Sequence, residues 1–275
     1  MTPLAAPFQP QPINGTVYLL EATGGNVALC AGSEGALLVD VPQATDVPRI
    51  IAALENFSLG PARYLVNTHW HDDHVAGNAA LGTEMQIVAH ENVRRHIGIE
   101  RRFQTGIQAI SPAQPPVAWP RITFNDKLTL CLNGEEIQLH YLPGGHSDSD
   151  ILVWFTQANV VHLGDLFWPG VFPFVDVDNG GSVTKLLEHI ELLLAWLPET
   201  AMLIPGHGPL STRSALVEYD QMLRATTKWI SERWETGRNL AELQKTGLPE
   251  PWGRWGNGFI SEAAWIELVV YDMKP

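Results

Sequence analysis

The sequence is poor in basic residues and in cysteine. Lys and Arg together number 17 against 30 Asp and Glu, a formal net charge of −13. A chain that acidic repels phosphate backbones, which argues against nucleic acid as a partner. The two cysteines, Cys30 and Cys131, stand in separate apolar stretches without a second Cys at metal-ligand spacing. Both read as buried free thiols, and a disulfide framework or thiolate metal site is not expected. No apolar run approaches the roughly 18 residues of a membrane-spanning helix, so no membrane partner is expected. Residues 1–12 hold no Lys or Arg and no apolar core of the signal-peptide kind. The expected location is cytoplasmic, or periplasmic if a signal peptide has been removed. Internal repeats and low-complexity tracts are also missing.

What remains is a globular composition. The 275 residues are 45% hydrophobic and 17% charged, with 24 Gly and 20 Pro. That excludes disorder, a collagen-like repeat and a coiled coil. It allows a core large enough to need no disulfide.

Short β-rich runs between Gly-containing turns predict strands over 16–20, 26–31, 36–40 and 63–67. Ile50, Ile51, Leu54 and Phe57 recur at helical spacing and predict a helix over 46–57. A helix from about 75 to 82, a strand over 86–89 and a helix over 91–97 follow. Four prolines within 111–120 forbid regular structure there and predict a loop or lid. Asn133-Gly134 between the runs 127–132 and 136–142 predicts a hairpin. Strands over 151–155, 159–163 and 201–204 and an amphipathic helix over 182–197 come next. From 211 onward the pattern is helical and Trp-rich, with no further strand. Residues 1–13 read as a tail, 14–210 as one α/β domain, and 211–275 as a helical extension packed on it. Two mixed halves, each a sheet with helices outside, fit a layered α/β sandwich.

The histidines carry the chemistry. His69, His71, Asp73 and His74 fall just past a strand. Residues two apart in extended chain share a side, so His69 and His71 can meet one ion. Asp73 and His74 lie past the turn and can face a second. Imidazole with carboxylate suits zinc, and also iron or manganese. Three further loops just past strand ends each present one potential ligand beside glycine: Gly145-His146, Gly164-Asp165 and Gly206-His207-Gly208. Ligands at one end of several strands converge on one mouth.

In this order and spacing, His69-x-His71-x-Asp73-His74, His146, Asp165 and His207 resemble the metallo-β-lactamase-fold hydrolase superfamily over about residues 14–210. The resemblance implies a four-layer αββα sandwich with a dinuclear site. His69, His71 and His146 would hold the first ion, and Asp73, His74 and His207 the second. Asp165 would bridge them, and Asp73 and Asp165 are the candidate catalytic carboxylates. It implies two divalent ions, zinc first, with iron or manganese as alternatives. A bridging hydroxide would then attack the carbonyl carbon of a thioester, ester or lactone, and no Ser or Cys nucleophile is required. Two other functions stay open: β-lactam hydrolysis, main or promiscuous, and a metal-binding redox-accessory role without turnover.

Departures narrow the resemblance. Asp165 stands where metallo-β-lactamases proper usually carry Cys or Ser, and His71 where flavodiiron proteins carry Glu. Glyoxalase II shares all seven ligands, but residues 166–174 do not match its Cys-Gly-Arg continuation. Trp168 stands where homoserine-lactone lactonases tend to have Tyr. Residues 164–182 and 258–268 look like a bacterial subgroup near glyoxalase II, associated with sulfur-oxidation or quinoprotein systems.

Trp70, Trp168 and Phe172 are the candidate substrate-pocket residues, with Trp119 and Phe174 as further members of an apolar wall. Plain packing is the alternative for Phe172 and Phe174. Arg94, Arg95, Arg101 and Arg102 read as a solvated face, with a carboxylate anchor as the sharper alternative. Trp229, Trp234, Trp252, Trp255 and Trp265 suggest core packing or a subunit interface, so the expected partners are a small-molecule substrate and a further copy of the chain. His90, His96, His140, His162 and His189 read as structural or solvated, and Asp72 lies outside the ligand set.

Overall fold

The computed structural model describes residues 6–56 and 61–274. The first strands are β1 (Gln11–Asn14), β2 (Val17–Ala22), β3 (Gly25–Gly32) and β4 (Gly35–Val39). Helix α1 (Val47–Asn56) leads to β5 (Ala62–Val66), the short helices α2 (Asp72–Val75) and α3 (Asn78–Leu81), β6 (Gln86–His90) and α4 (Glu91–His96). Phe57, expected at the end of the first helix, lies outside the described residues. Next come β7 (Arg101–Phe103), β8 (Ala109–Ser111), β9 (Ile122–Phe124), β10 (Lys127–Leu132), β11 (Glu135–Tyr141), β12 (Ile151–Phe155) and β13 (Val160–Gly164). The chain closes with α5 (Val183–Trp196), β14 (Met202–Pro205), β15 (Ser211–Thr212), α6 (Arg213–Glu235), α7 (Leu240–Thr246) and α8 (Glu262–Asp272).

Two mixed sheets form, in the orders β1-β2-β3-β4-β5-β6-β9 and β10-β11-β12-β13-β14-β15. Pairs in the first are antiparallel through β4 and parallel from β4 to β9. The eight-residue strand β3 shows why they stack. Its inner residues are all buried, because Ala28 and Cys30 join Ile137, Leu139 and Val153 between the sheets. The alternate residues Val27 and Leu29 pack with Ile50 and Ala53 of α1 on the opposite face. On the far face of the second sheet, Leu152 and Val161 meet Leu186, Ile190 and Leu193 of α5. The result is helix, sheet, sheet, helix: the αββα sandwich. Helices α6 and α8 add Tyr219, Met222 and Trp265 to the same outer core, so the terminal helices are continuous with it. Trp255 and Trp265 are buried there and Trp229, Trp234 and Trp252 pack against them.

Several local readings change. Gln11–Asn14 pairs with β2, so a strand lies where the tail reading ended. The two-residue β15 pairs with β14, where only helix was expected. Cys131 is exposed, because β10 is an edge strand whose Leu128, Leu130 and Leu132 take the inner face and leave alternate residues to solvent. The 111–120 stretch begins at the end of β8 and contains one 3-10 turn, Pro116–Ala118. It braces the short helices: Asn78 Nδ2 donates to Ala118 O at 3.0 Å, and Gln114 Nε2 donates to Asp72 Oδ1 at 2.8 Å. Among the described residues no helix is long and apolar enough to cross a membrane.

Candidate metal centre

Four strand ends deliver the seven candidate ligands to one seam between the sheets. After β5 the chain bends through Asn67–His71 before α2 starts at Asp72. His146 follows β11, Asp165 follows β13, and His207 follows β14. Backbone bonds close the seam: Ile151 N donates to Thr68 O at 2.9 Å, and Asn26 N to Gly206 O at 2.9 Å. Gly206 has no room for a side chain. A Cβ there would lie 2.0 Å from Asp165 Oδ1 and 2.9 Å from His74 Cε1.

Ligand atoms of His69, His71 and His146 lie within 4.8 Å of one another, as do those of His69, His74 and Asp165, and those of Asp73, His74 and His207. All seven expected residues are thus brought together. Asp165 sits between the groups, with Oδ2 3.6 Å from His146 Nε2 and 3.5 Å from His207 Nε2, and Oδ1 3.2 Å from His74 Nε2. His207 Nε2 also stands 3.3 Å from Asp73 Oδ2.

Hydrogen bonds behind the rings fix which nitrogen each presents. Asp40 accepts from Thr68 N at 2.8 Å and Thr68 Oγ1 at 2.7 Å, and from His74 Nδ1 at 2.8 Å. Thr68 Oγ1, having given its proton to Asp40, accepts from His69 Nδ1 at 3.0 Å. His71 Nε2 donates to Asp176 Oδ2 at 3.0 Å, and His146 Nδ1 donates to the Phe174 carbonyl at 2.7 Å. His69, His71 and His146 therefore spend an N–H outward and turn a lone pair inward. His71 Nδ1 and His146 Nε2 consequently face each other at 2.8 Å with lone pair against lone pair. Only a proton or a cation relieves that contact.

The charges point the same way. Burial, reinforced by neighbouring imidazoles, holds His69 well below the ordinary histidine range. Burial likewise pushes His146 down to about 4. These rings are neutral donors at neutral pH. Around the carboxylates the balance reverses. Burial opposes charge on His74, but Asp165 and Asp40 outweigh it and hold the ring well above the ordinary range. Burial is outweighed at His207 too, where Asp165 and then Asp73 raise it to about 10. Asp165 stays well below the usual carboxylate range despite its burial, because His207, His74 and His146 surround it. Asp73 is held at about 2, where the His207 hydrogen bond and the His74 charge overcome desolvation.

His69 Nε2 is buried with no partner, and His74 Nε2, His207 Nε2 and Asp165 Oδ1 have only imidazole–carboxylate approaches of 3.2–3.5 Å. Each such group costs about 1–3 kcal/mol if left unmatched. Four under-satisfied atoms in one place, among carboxylates that stabilise positive charge, fit a metal-binding centre of histidine and aspartate.

A cavity of about 230 Å³ opens over His71, Asp73 and Asp165. Its walls are Phe103 and Ile107, Ala109 to Ser111 of β8, Trp168, Phe174 and Phe259. A groove of about 580 Å³ adjoins it across Asp73, Trp168 and Phe259. Trp168 therefore lies in the wall, as expected, and so does Phe174. Trp70 and Phe172 do not. Trp70 is buried behind the site: it meets the His71 ring edge-on at 4.5 Å and stacks on His96 and Phe103, with centroids 5.0 and 5.7 Å apart. Phe172 is fully buried and stacks on Trp265 at 5.5 Å, which ties its loop to α8. Trp119 rests against Gly98, and its indole donates to Gln114 O at 2.9 Å. Arg102 is exposed beside Glu100 at 2.8 Å and lines a groove along the β7–β8 hairpin that shares Phe103, Ala109 and Ile110 with the cavity. It is not among the residues that line the cavity.

Sequence reasoning missed the hairpin wall, Phe259, and the residues behind the ligands, Asp40 and Asp176. The loop after Phe174 does three things. The Phe174 carbonyl holds His146, Asp176 holds His71, and Asp178 holds the hairpin turn by accepting from Gln104 N at 2.6 Å and from Thr105 N and Oγ1 at 2.9 Å each. The only signal available for these was position: an Asp directly after the β4 run, and two Asp in the short loop 174–178.

The profile of the metallo-beta-lactamase superfamily matches residues 20–207. A metallo-beta-lactamase type 2 of Bacteroides fragilis is 25% identical over 168 residues, which is 59% of this chain and 61% of that protein. This chain thus spans less than two thirds of that relative. A metallo-beta-lactamase structure from Pontibacter korlensis aligns with a TM-score of 0.65 at 19% identity, over 79% of this chain and 99% of that one. A stereoselective inverting sec-alkylsulfatase from a Pseudomonas species aligns with a TM-score of 0.73 at 16% identity, over 95% of this chain and 49% of that one. At these identities the structural likenesses speak for the fold.

Proposed function

The chain belongs to the metallo-beta-lactamase superfamily, and from that premise we propose a dinuclear-metal hydrolase of thioesters, esters or lactones. It is a metal-dependent hydrolase of that superfamily with a His/Asp centre. The observation carrying the finer reading is the inward convergence of the His69, His71 and His146 lone pairs, whose outward N–H groups are already bonded, beside Asp73, Asp165, His74 and His207. His69, His71 and His146 would hold one ion, Asp73, His74 and His207 the other, with Asp165 between them. Zinc suits this donor set best. Bound there, the metals would supply Lewis acidity toward a carbonyl and lower the pKa of a water toward neutrality.

The chain's own groups do the rest. Asp40, Asp176 and the Phe174 carbonyl hold three rings in one tautomer and orientation. Phe103, Trp168 and Phe174 line the cavity and exclude bulk water from the reacting carbon. Asp73 has a half-exposed carboxylate facing the cavity, held ionised, and is placed to take a proton from water. In the reaction, water oxygen bonds to the acyl carbon, the acyl–oxygen or acyl–sulfur bond breaks, and the leaving group departs with the transferred proton.

Asp165 and the seven-residue pattern support affinity to the glyoxalase II-like branch, while the relatives named above are metallo-beta-lactamases and an alkylsulfatase. The identity to the Bacteroides fragilis protein favours β-lactam hydrolysis as the second reading. Purification followed by elemental analysis and a panel of phenyl acetate, S-lactoylglutathione, a simple lactone and nitrocefin separates the two. We expect two metals per chain and chelator-sensitive turnover of an acyl ester, thioester or lactone. Turnover of nitrocefin alone would select the second reading. Full metal content without any turnover would point to a metal-binding accessory role.

A further inference from the structure

We propose that the site takes an uncharged carbonyl substrate with an apolar chain, and that Phe259 with Trp168 forms the track for that chain. This rests on the hydrolase reading and names its substrate class. Three observations carry it.

The first is charge. Among the described residues, no Lys or Arg lines either the cavity or the adjoining groove. The ionisable groups there are Asp72, Asp73, Asp165, His71 and His207. All but Asp72 belong to the metal-binding set, so no side chain is left to receive a carboxylate or phosphate on the substrate. The nearest candidate, Arg102, lines the neighbouring hairpin groove and is already paired with Glu100 at 2.8 Å. A remote anionic group on the substrate would find no Lys or Arg in the cavity or the groove, and would lie near Asp72 in a chain of net charge −13.

The second is a stack of rings leading outward. The Trp168 ring stacks on His207 at 4.8 Å, and the Phe259 ring lies 6.4 Å beyond Trp168, tilted by 16°. Trp168 is fixed by its indole N–H, which donates to the Asp165 carbonyl at 2.9 Å. The path runs from a candidate ligand to the surface without a polar side chain between.

The third is exposure on a fixed backbone. Phe259 is 65% exposed and Ile110, on the opposite rim, is 52% exposed. Their neighbours are not free to move. Ile260 is fully buried, Ser261 caps α8 by accepting from Ala264 N, and a Cβ on Gly258 would lie 2.7 Å from Val171. A large ring held outward by a packed backbone loses water contact only when something covers it. The groove beside it, lined by Pro169, Val171 and Pro209, gives an alkyl or acyl chain that place.

The test uses the zinc-loaded protein and 4-nitrophenyl esters from acetate to octanoate, with the 4-nitrophenyl monoester of suberic acid as the charged counterpart of octanoate. We expect kcat/KM to rise roughly two- to fourfold per methylene until the groove is filled. The suberate monoester should fall well below octanoate. Phe259→Ala should lower the octanoate-to-acetate ratio of kcat/KM about tenfold, chiefly through KM, and Phe259→Leu should restore most of it. A flat chain-length series, a preference for the suberate monoester, or an equal loss on acetate and octanoate in Phe259→Ala would overturn the proposal. If no ester is turned over at all, the hydrolase reading has failed and binding decides the inference separately. Calorimetry should then show 2-decanone binding more tightly than 2-butanone, and less tightly in Phe259→Ala; equal binding of both ketones would end it.

Discussion

His69, His71, His74, His146 and Asp165 are at most 5% exposed, and the rings among them each have a bonded nitrogen behind. On the same cleft, Phe259 and Ile110 stand more than half in solvent, Phe259 with only the Trp168 ring beside it. The floor is over-determined by polar contacts, and the rim is apolar and free of them. Floors of that kind tolerate almost no substitution, because each change leaves a buried polar atom unmatched. Rims of that kind should tolerate change with an altered choice of substrate.

The sharpest way to break the contrast is at its centre. Asp165→Ala removes the carboxylate lying between His74, His146 and His207. Elemental analysis should give fewer than two metals per chain, and kcat should fall by more than about 10²-fold, beyond the range typical of residues behind a ligand. Full metal content with unchanged kcat would refute the role given to Asp165. One layer back, Asp40→Ala takes the acceptor from Thr68 N, Thr68 Oγ1 and His74 Nδ1. Zinc affinity should weaken roughly 10- to 100-fold in a competition titration with a chromogenic chelator.

A smaller effect lies under the floor. His162 is fully buried beside the site, and burial pushes it down to about 4. Folded, it stays neutral between its ordinary 6.5 and about 4, whereas the unfolded chain takes up the proton. Its contribution is therefore complete above pH 6.5 and is lost as pH falls toward 4, at about 1.4 kcal/mol per pH unit. Urea unfolding of the metal-free protein at several pH values should show a shallower acid slope in His162→Asn than in wild type. The least effect is expected at the rim's outer side, where Arg102→Gln should leave KM for acyl esters within about twofold, as its charge is screened and already paired with Glu100.

The floor was legible in the sequence because its ligands announce themselves locally. Three histidines and an aspartate within six residues, and glycine next to His146, Asp165 and His207, are patterns that packing alone does not demand. The layered fold followed from strand runs whose two faces are both apolar, as in β3. The rim was not legible. Strands β7 and β8 have three residues each, too few to display an alternation, and their partners face each other across the Gln104–Gln108 turn. Trp70 misled because its type and place beside the ligands suggested a wall, while chain alternation turns it into the core. Cys131 misled in the opposite sense, since an apolar run on an edge strand still sends every second residue outward. Asp40 carries no composition signal at all; its importance comes from a left-handed backbone, φ 59°, that aims one carboxylate at two segments of distant chain.

The five residues from Phe174 to Asp178 link these two regions. Asp176 and Asp178, two positions apart, reach in opposite directions, one to an imidazole and one to the hairpin that roofs the cleft. The roof cannot be lifted without loading the short span of backbone that also aims His71 and His146. Pressure from a bulky guest would be felt as torque on the His71 and His146 rings, through the one stretch of backbone that Asp176 and Asp178 share.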